Sequence, residues 1–151
     1  MRFTTSTHDE HGQLTKSPDK VRKLNEHLAA KVEAHLDEIS MVKADLQPGA
    51  DTLVVSYGVT TRAVEEAIRT ARERGRLISS LMIYSLWPVP EKEIKAAFTG
   101  IRRVVVPELN LGQYRLEVER LVPDGVEVVG INRVDGELIS PEEILEQGGM
   151  L

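Results

Sequence analysis

Glu108, Asn110 and Gln113 stand close together beside Gly112, directly after the β-branched run Val104-Val105-Val106. A carboxylate and two amides at the carboxyl end of a strand suit a contact to backbone or to a partner, though a loop can carry them as mere filler. Gly58-Val59-Thr60-Thr61 offers a second candidate. A strand that delivers backbone amides to a helix start makes an anion site for a carboxylate or phosphate, with Arg62 able to add charge. Yet the turn lacks the glycine-rich stretch that lets a phosphate come close, and an ordinary capped strand-to-helix turn reads the same way. Asn132, Arg133 and Asp135 follow a later strand and reach the same sheet edge if the strands are parallel. An ion pair from Arg133 to Glu108 or Asp135 that only braces loops is the simpler expectation. His8-Asp9-Glu10-His11 resembles a metal cluster, but no further ligands are evident and a chance surface grouping is expected. His27 and His35 are expected on a solvated helix face. Trp87, between Leu86 and Pro88, is expected as a core or interface anchor.

Composition narrows the chemistry. The chain has 151 residues, enough for a single domain that buries roughly 70% of its unfolded surface. With 24 acidic and 19 basic residues the charge is −5, and the basic residues are scattered, so no nucleic-acid partner is expected. No apolar run approaches the roughly 18 residues of a membrane span and no signal-peptide core is present, so a soluble cytoplasmic protein with no membrane partner is expected. Without a cysteine the chain supplies no thiolate for an iron–sulfur cluster. It also lacks the Gly-Asp-Gly with downstream Asn that marks a thiamine diphosphate and magnesium site, and both common glycine-rich nucleotide loops.

Alternating patterns predict the elements that must position these residues. Residues 1–16 read as an extended linker or arm. Ser17-Pro18 starts a helix whose Val21, Leu24, Leu28, Val32, Leu36 and Ile39 form one apolar stripe, and 17–46 comprises this helix with a possible first strand at Met41 to Leu46. Its stripe must cover either the sheet or a neighbouring subunit, which leaves a homodimer open. Residues 47–151 read as an α/β domain, making 17–151 one globular unit. Strands are expected at Leu53 to Tyr57, Leu77 to Tyr84, Arg103 to Val106 and Val126 to Ile131. Thr60 or Thr61 is expected to cap one helix. Pro107 is expected to end the third strand, and Ser140-Pro141-Glu142-Glu143 to open a last short helix with a capping box. The tail 148–151 is expected to fray. These alternating strands and helices suit a mostly parallel sheet, a flavodoxin-like one included.

The segment ELNLGQ after a valine strand, then GINRVDGELISPEEIL, resembles the C-terminal domain of the alpha subunit of 2-oxoacid:ferredoxin oxidoreductases, most like the 2-oxoglutarate type. THDEHG at Thr7 to Gly12, VVSYGVTTRA at Val54 to Ala63 and SLWPVPEKEI at Ser85 to Ile94 agree with it in order and spacing. The resemblance implies a transketolase C-terminal-like fold, a three-layer α/β/α sandwich with a mostly parallel sheet whose first strand, Met41 to Leu46 here, is antiparallel. It implies a part in coenzyme A dependent oxidative decarboxylation of a 2-oxoacid, with ferredoxin as electron acceptor. Thiamine diphosphate, magnesium and the iron–sulfur cluster would be held by other domains, namely the pyrimidine-binding remainder of the alpha subunit and a separate beta subunit. Under that reading the chain serves assembly, binds no cofactor itself and has no catalytic residue. The alternative is a free-standing module that binds a small anion or nucleotide at the Gly58 and Gly112 turns.

Overall fold

Strands with apolar residues on both faces need a layer of helices on each side, and the computed structural model, which describes residues 7–151, has that arrangement in its second half. The chain divides into two units, residues 1–39 and 40–151.

The first unit holds helix α1 (Pro18–Glu33) and the short α2 (Leu36–Ile39). One helix through Ile39 was expected; it breaks at Ala34-His35. There the amides of Ala34 and His35 bond back to Ala30 and Val32, tightening the last turn, and His35 starts α2 with its ring 2.8 Å from Glu38. Ser17 lends no side-chain cap, and Pro18 alone sets the start. α1 buries none of its residues. Ahead of it, residues 7–15 form a closed turn rather than an extended arm: Thr15 donates to Thr7, Asp9 to Gln13, and His8 bridges Leu14. Residues 1–6 of the expected arm lie outside the described residues.

The second unit runs β1 (Val42–Asp45), β2 (Thr52–Tyr57), α3 (Thr60–Glu73), β3 (Ile78–Ile83), α4 (Glu91–Ala96), β4 (Arg103–Glu108), α5 (Gln113–Glu119), β5 (Glu127–Asn132) and α6 (Pro141–Gln147). The sheet order is β1-β3-β2-β4-β5, with β1 antiparallel to β3 and the remaining neighbours parallel. β1 therefore belongs with the sheet, as the expected antiparallel first strand.

Successive strand residues face opposite sides, which splits the core in two. Leu53, Val55, Leu81, Val104 and Val106 meet Ile94 and Phe98 of the α4 segment and Tyr114 and Val118 of α5. Val54, Ile78, Val105 and Ile131 meet Val64, Ala67, Ile68 and Ala71 of α3 and Ile144 and Leu145 of α6. The result is a three-layer α/β/α sandwich. Val64 and Ile68 each contribute about 1.5–3 kcal/mol by leaving water.

Pro107 does not end β4, which continues to Glu108. Arg103 donates to Asp51 on the β2 side, whereas Glu108 accepts from Arg133 on the β5 side, so Pro107, in step with Arg103, turns its missing donor toward β2. The β2–β4 ladder has already stopped there, at Val54 opposite Val105, and the lost hydrogen bond costs nothing.

The tail does not fray either. Gly149, at φ +66°, lets the Met150 amide bond back to Leu145 and the Gly149 amide to Glu146, a Schellman closure that seats Met150 in the core beside Ile144. Gly149 and Leu151 are left exposed. The capping box at Ser140 and Glu143 forms as expected.

Candidate functional site

The chain leaves β2 toward β3 in one direction and β4 toward β5 in the other, so the loops at the carboxyl ends of β2 and β4 diverge. In open α/β sheets that gap is where a ligand usually sits. Here the protein fills it. The Tyr57 hydroxyl at the end of β2 donates to Glu108 Oε2 at 2.8 Å, and Asn110 Nδ2 donates to the Tyr57 oxygen at 2.7 Å. The Tyr57 and Tyr114 rings lie 5.3 Å apart in a tilted pair.

Glu108 is fully buried. Its carboxylate accepts from the amides of Tyr114 at 2.9 Å and Arg115 at 2.8 Å, so it serves as the anion that the start of α5 calls for. Asn110 closes the turn before it, its Oδ1 accepting from the amides of Gly112 and Gln113. Gly112 sits at φ +95°, where a side chain would be strained. Burial first, then the neighbouring carboxylate, pushes the Tyr57 hydroxyl up to about 12. Burial raises Tyr114 as well, and its hydroxyl has no hydrogen-bond partner.

The structure brings Glu108, Asn110, Gly112 and Gln113 together and sets Asn132 opposite Glu108 in the β4–β5 register. Arg133 does not meet the Glu108 carboxylate. Its guanidinium holds Glu143 at 3.0 Å, Asp135 at 3.5 Å and the Leu138 carbonyl at 2.7 Å, bracing the β5–α6 connection. Its amide alone reaches Glu108, at the backbone oxygen.

The Gly58 turn differs from its expected form. Val59 is the residue before α3, and neither threonine caps it. Thr60 donates back to the Tyr57 carbonyl at 2.7 Å and Thr61 toward Ser56 at 3.4 Å, both residues being largely buried. A groove of about 470 Å³ beside α3 lies on the β1–β3 side of the sheet, lined by Ser56, Thr61, Ile68, Arg72, Ser80 and Met82. Its central cation, Arg72, is committed to Asp45 and the Ile78 carbonyl.

In the first unit, Asp9 receives Lys20 at 2.8 Å and the amides of His11 and Gln13. Lys20 first, then the Gln13 amide, lowers its carboxyl to about 2. Among the described residues no group of His, Cys, Asp or Glu is arranged to hold a metal ion.

Around the filled gap the loops are apolar and exposed. Among the large apolar residues exposed in 40–151, all but Leu46, Leu77, Leu116 and Leu151 stand at the carboxyl edge of the parallel strands: Met41, Val59, Tyr84, Leu86, Trp87, Leu111, Val134 and Leu138. Trp87 is 75% exposed and Leu111 77%, so Trp87 is not a core anchor. Tyr57 and Tyr114, which tie the site together, carried no local signal. Tyr57 stands 51 positions before Glu108, and only the sheet order makes them neighbours.

The fold and this rim define an α/β domain of the transketolase C-terminal type. Over residues 50–144 the chain matches the family described as pyruvate:ferredoxin oxidoreductase core domain II, and it belongs to that family. The 2-oxoglutarate synthase subunit KorA of Methanothermobacter thermautotrophicus is 39% identical over 143 residues, covering 94% of this chain and 38% of the relative. The chain thus spans well under half the length of that relative. In fold it is similar to the 2-oxoglutarate:ferredoxin oxidoreductase from Magnetococcus marinus, with TM-score 0.78 and 23% identity over 95% of this chain and 25% of that one. A split-gene transketolase aligns with TM-score 0.50 and 22% identity over 72% of this chain and 38% of the other. Among the described residues no helix is long and apolar enough to cross a membrane.

Proposed function

We propose that this chain is the C-terminal α/β domain of the alpha subunit of a cytoplasmic 2-oxoacid:ferredoxin oxidoreductase, with 2-oxoglutarate as the acid, and that its task is assembly. One observation carries the reading: the gap where such a sheet would take a ligand is closed by Tyr57, Glu108 and Asn110, while Val59, Trp87, Leu111 and Val134 stand out around it. An apolar rim of this kind suits a protein partner. The candidate site residues Gly58, Thr60, Thr61, Glu108, Asn110, Gly112, Gln113, Asn132 and Arg133 are then the frame of a docking face, with no catalytic role.

The residues present do not fit the redox cofactor of that chemistry, because the chain has no cysteine to hold an iron–sulfur cluster. Thiamine diphosphate, magnesium and the cluster belong, on this reading, to the pyrimidine-binding remainder of the alpha subunit and to the beta subunit. The related Magnetococcus enzyme was solved with 2-oxoglutarate, coenzyme A and succinyl-CoA bound, which supports the choice of acid.

Co-expression with those polypeptides is the test. The chain should co-purify with them in fixed ratio, and the complex should reduce ferredoxin with 2-oxoglutarate and coenzyme A. Leu111→Asp should release the chain from the complex while leaving its melting temperature within a few degrees. Turnover by the chain alone, or a Leu111→Asp chain that stays bound, overturns the proposal. So does a melting shift of the isolated chain with coenzyme A or 2-oxoglutarate, since a ligand that binds the folded state raises its stability.

A further inference from the structure

The chain contains two Asp-Gly pairs, Asp124-Gly125 and Asp135-Gly136, and none of its asparagines precedes a glycine. An aspartate followed by glycine is prone to rearrange its own backbone, because glycine has no side chain to keep its amide nitrogen away from the neighbouring carboxyl carbon. The nitrogen bonds to that carbon, a C–O bond breaks, and the carboxyl's hydroxyl leaves with the amide proton as water. Water then opens the resulting succinimide ring at either carbonyl. Opening at the main-chain carbonyl yields isoaspartate, in which the backbone runs through the former side chain and is one methylene longer. The reaction needs no oxidant, cofactor or second protein.

As dipeptides the two pairs are equivalent, and the structure separates them. Asp124 and Gly125 are the exposed central residues of a turn closed by the Val126 amide on the Pro123 carbonyl at 3.3 Å. Gly125 sits at φ +84° with open space where a side chain would stand. Among the described residues no hydrogen bond or ion pair engages the Asp124 carboxylate or the Gly125 amide, so one long bond is all that holds this turn against the attack. Asp135 is exposed as well, but its carboxylate is held. Its Oδ1 accepts from the Glu137 amide at 3.0 Å, and its Oδ2 lies 3.5 Å from Arg133 Nε. Ring closure there removes one of those oxygens, so a contact that the folded chain makes has to be given up. We infer that Asp124-Gly125 is the site at which this chain forms isoaspartate, and that the fold spares Asp135-Gly136.

The consequence falls on the entry to β5. The added methylene lies just ahead of Val126, which packs against the core, and of Glu127, whose amide fastens the strand to the Arg102 carbonyl. This turn stands at the amino ends of the parallel strands, away from the loops assigned to docking. The inference therefore goes beyond the docking reading, and either can fail alone.

Trypsin separates the two sites, because cleavage after Arg120 and Arg133 gives residues 121–133 with Asp124 and residues 134–151 with Asp135. The full chain is kept warm at neutral pH for weeks, folded or in guanidinium chloride, and each peptide is scored for isoaspartate by electron-transfer fragmentation. In the folded chain isoaspartate should build up in 121–133 on the order of tenfold faster than in 134–151, the equivalent of one hydrogen bond to a charged group retained at Asp135. In denaturant the two peptides should age at closely similar rates. Asp124→Glu, whose side chain is one carbon too long to close the same ring, should abolish the signal in 121–133. Equal build-up in the two peptides of the folded chain overturns the inference, as does a lead for 134–151 or the absence of isoaspartate from 121–133. So does a gap that persists in denaturant, which would assign it to the flanking residues, or a signal in 121–133 that survives Asp124→Glu.

Discussion

The Tyr57 hydroxyl donates to the buried Glu108 carboxylate at 2.8 Å, tying the end of β2 to the end of β4 just beyond the point where their backbone ladder stops. A side-chain bond thus takes over from the sheet at the place where the two strands part. It also holds the Leu109 to Gly112 turn in a single form, because Asn110 binds the same hydroxyl.

Tyr57→Phe keeps the ring against Tyr114 and removes only that bond, leaving Asn110 Nδ2 without its acceptor. The cost should be about 1–2 kcal/mol in urea unfolding, with faster amide exchange confined to residues 109–113. A loss spread evenly over the sheet would show that the bond does not hold the turn.

Alkali should weaken the fold through the same group. Tyr57 is raised from its ordinary 10.0 to about 12, chiefly by burial and then by Glu108. A raised tyrosine favours the folded state while it is protonated. Its contribution is therefore complete below pH 10 and is lost as the pH climbs through about 12. Urea midpoints measured across that window should fall more steeply for wild type than for Tyr57→Phe, with part of the fall kept because burial raises Tyr114 too.

Met150, a residue from the end of the chain, is fully buried. Met150→Ala should cost about 2–4 kcal/mol, a core-sized penalty at a place where tails ordinarily tolerate change. Thermal unfolding decides: a shift of less than a degree would mean the tail is not seated.

Asp9 gathers Lys20 and the amides of His11 and Gln13. Its lowered carboxyl stabilises the turn fully above pH 3.8, and that support is lost as the pH falls through about 2. Asp9→Asn should speed exchange of the His11 and Gln13 amides at neutral pH on the order of tenfold, the equivalent of one lost hydrogen bond.

Local pattern alone determined most elements of this protein. Runs of valine mark β2, β4 and β5, an apolar stretch between turn signals marks β3, and Ser140 to Glu143 spells a capping box, since these signals depend on near neighbours in the chain. The loop Glu108 to Gln113 stood out for the same reason, as polar groups crowded beside a glycine. Tertiary structure decided what those groups do. Glu108 spends its carboxylate on Tyr57 and on the start of α5, partners that only the order β1-β3-β2-β4-β5 brings within reach. Pro107 stays inside β4 because the neighbouring ladder has ended, and Met150 enters the core because Gly149 turns the chain back, neither of which shows in composition. Periodicity reports which face of an element is apolar, but which strand lies beside which is set by packing across the whole sheet.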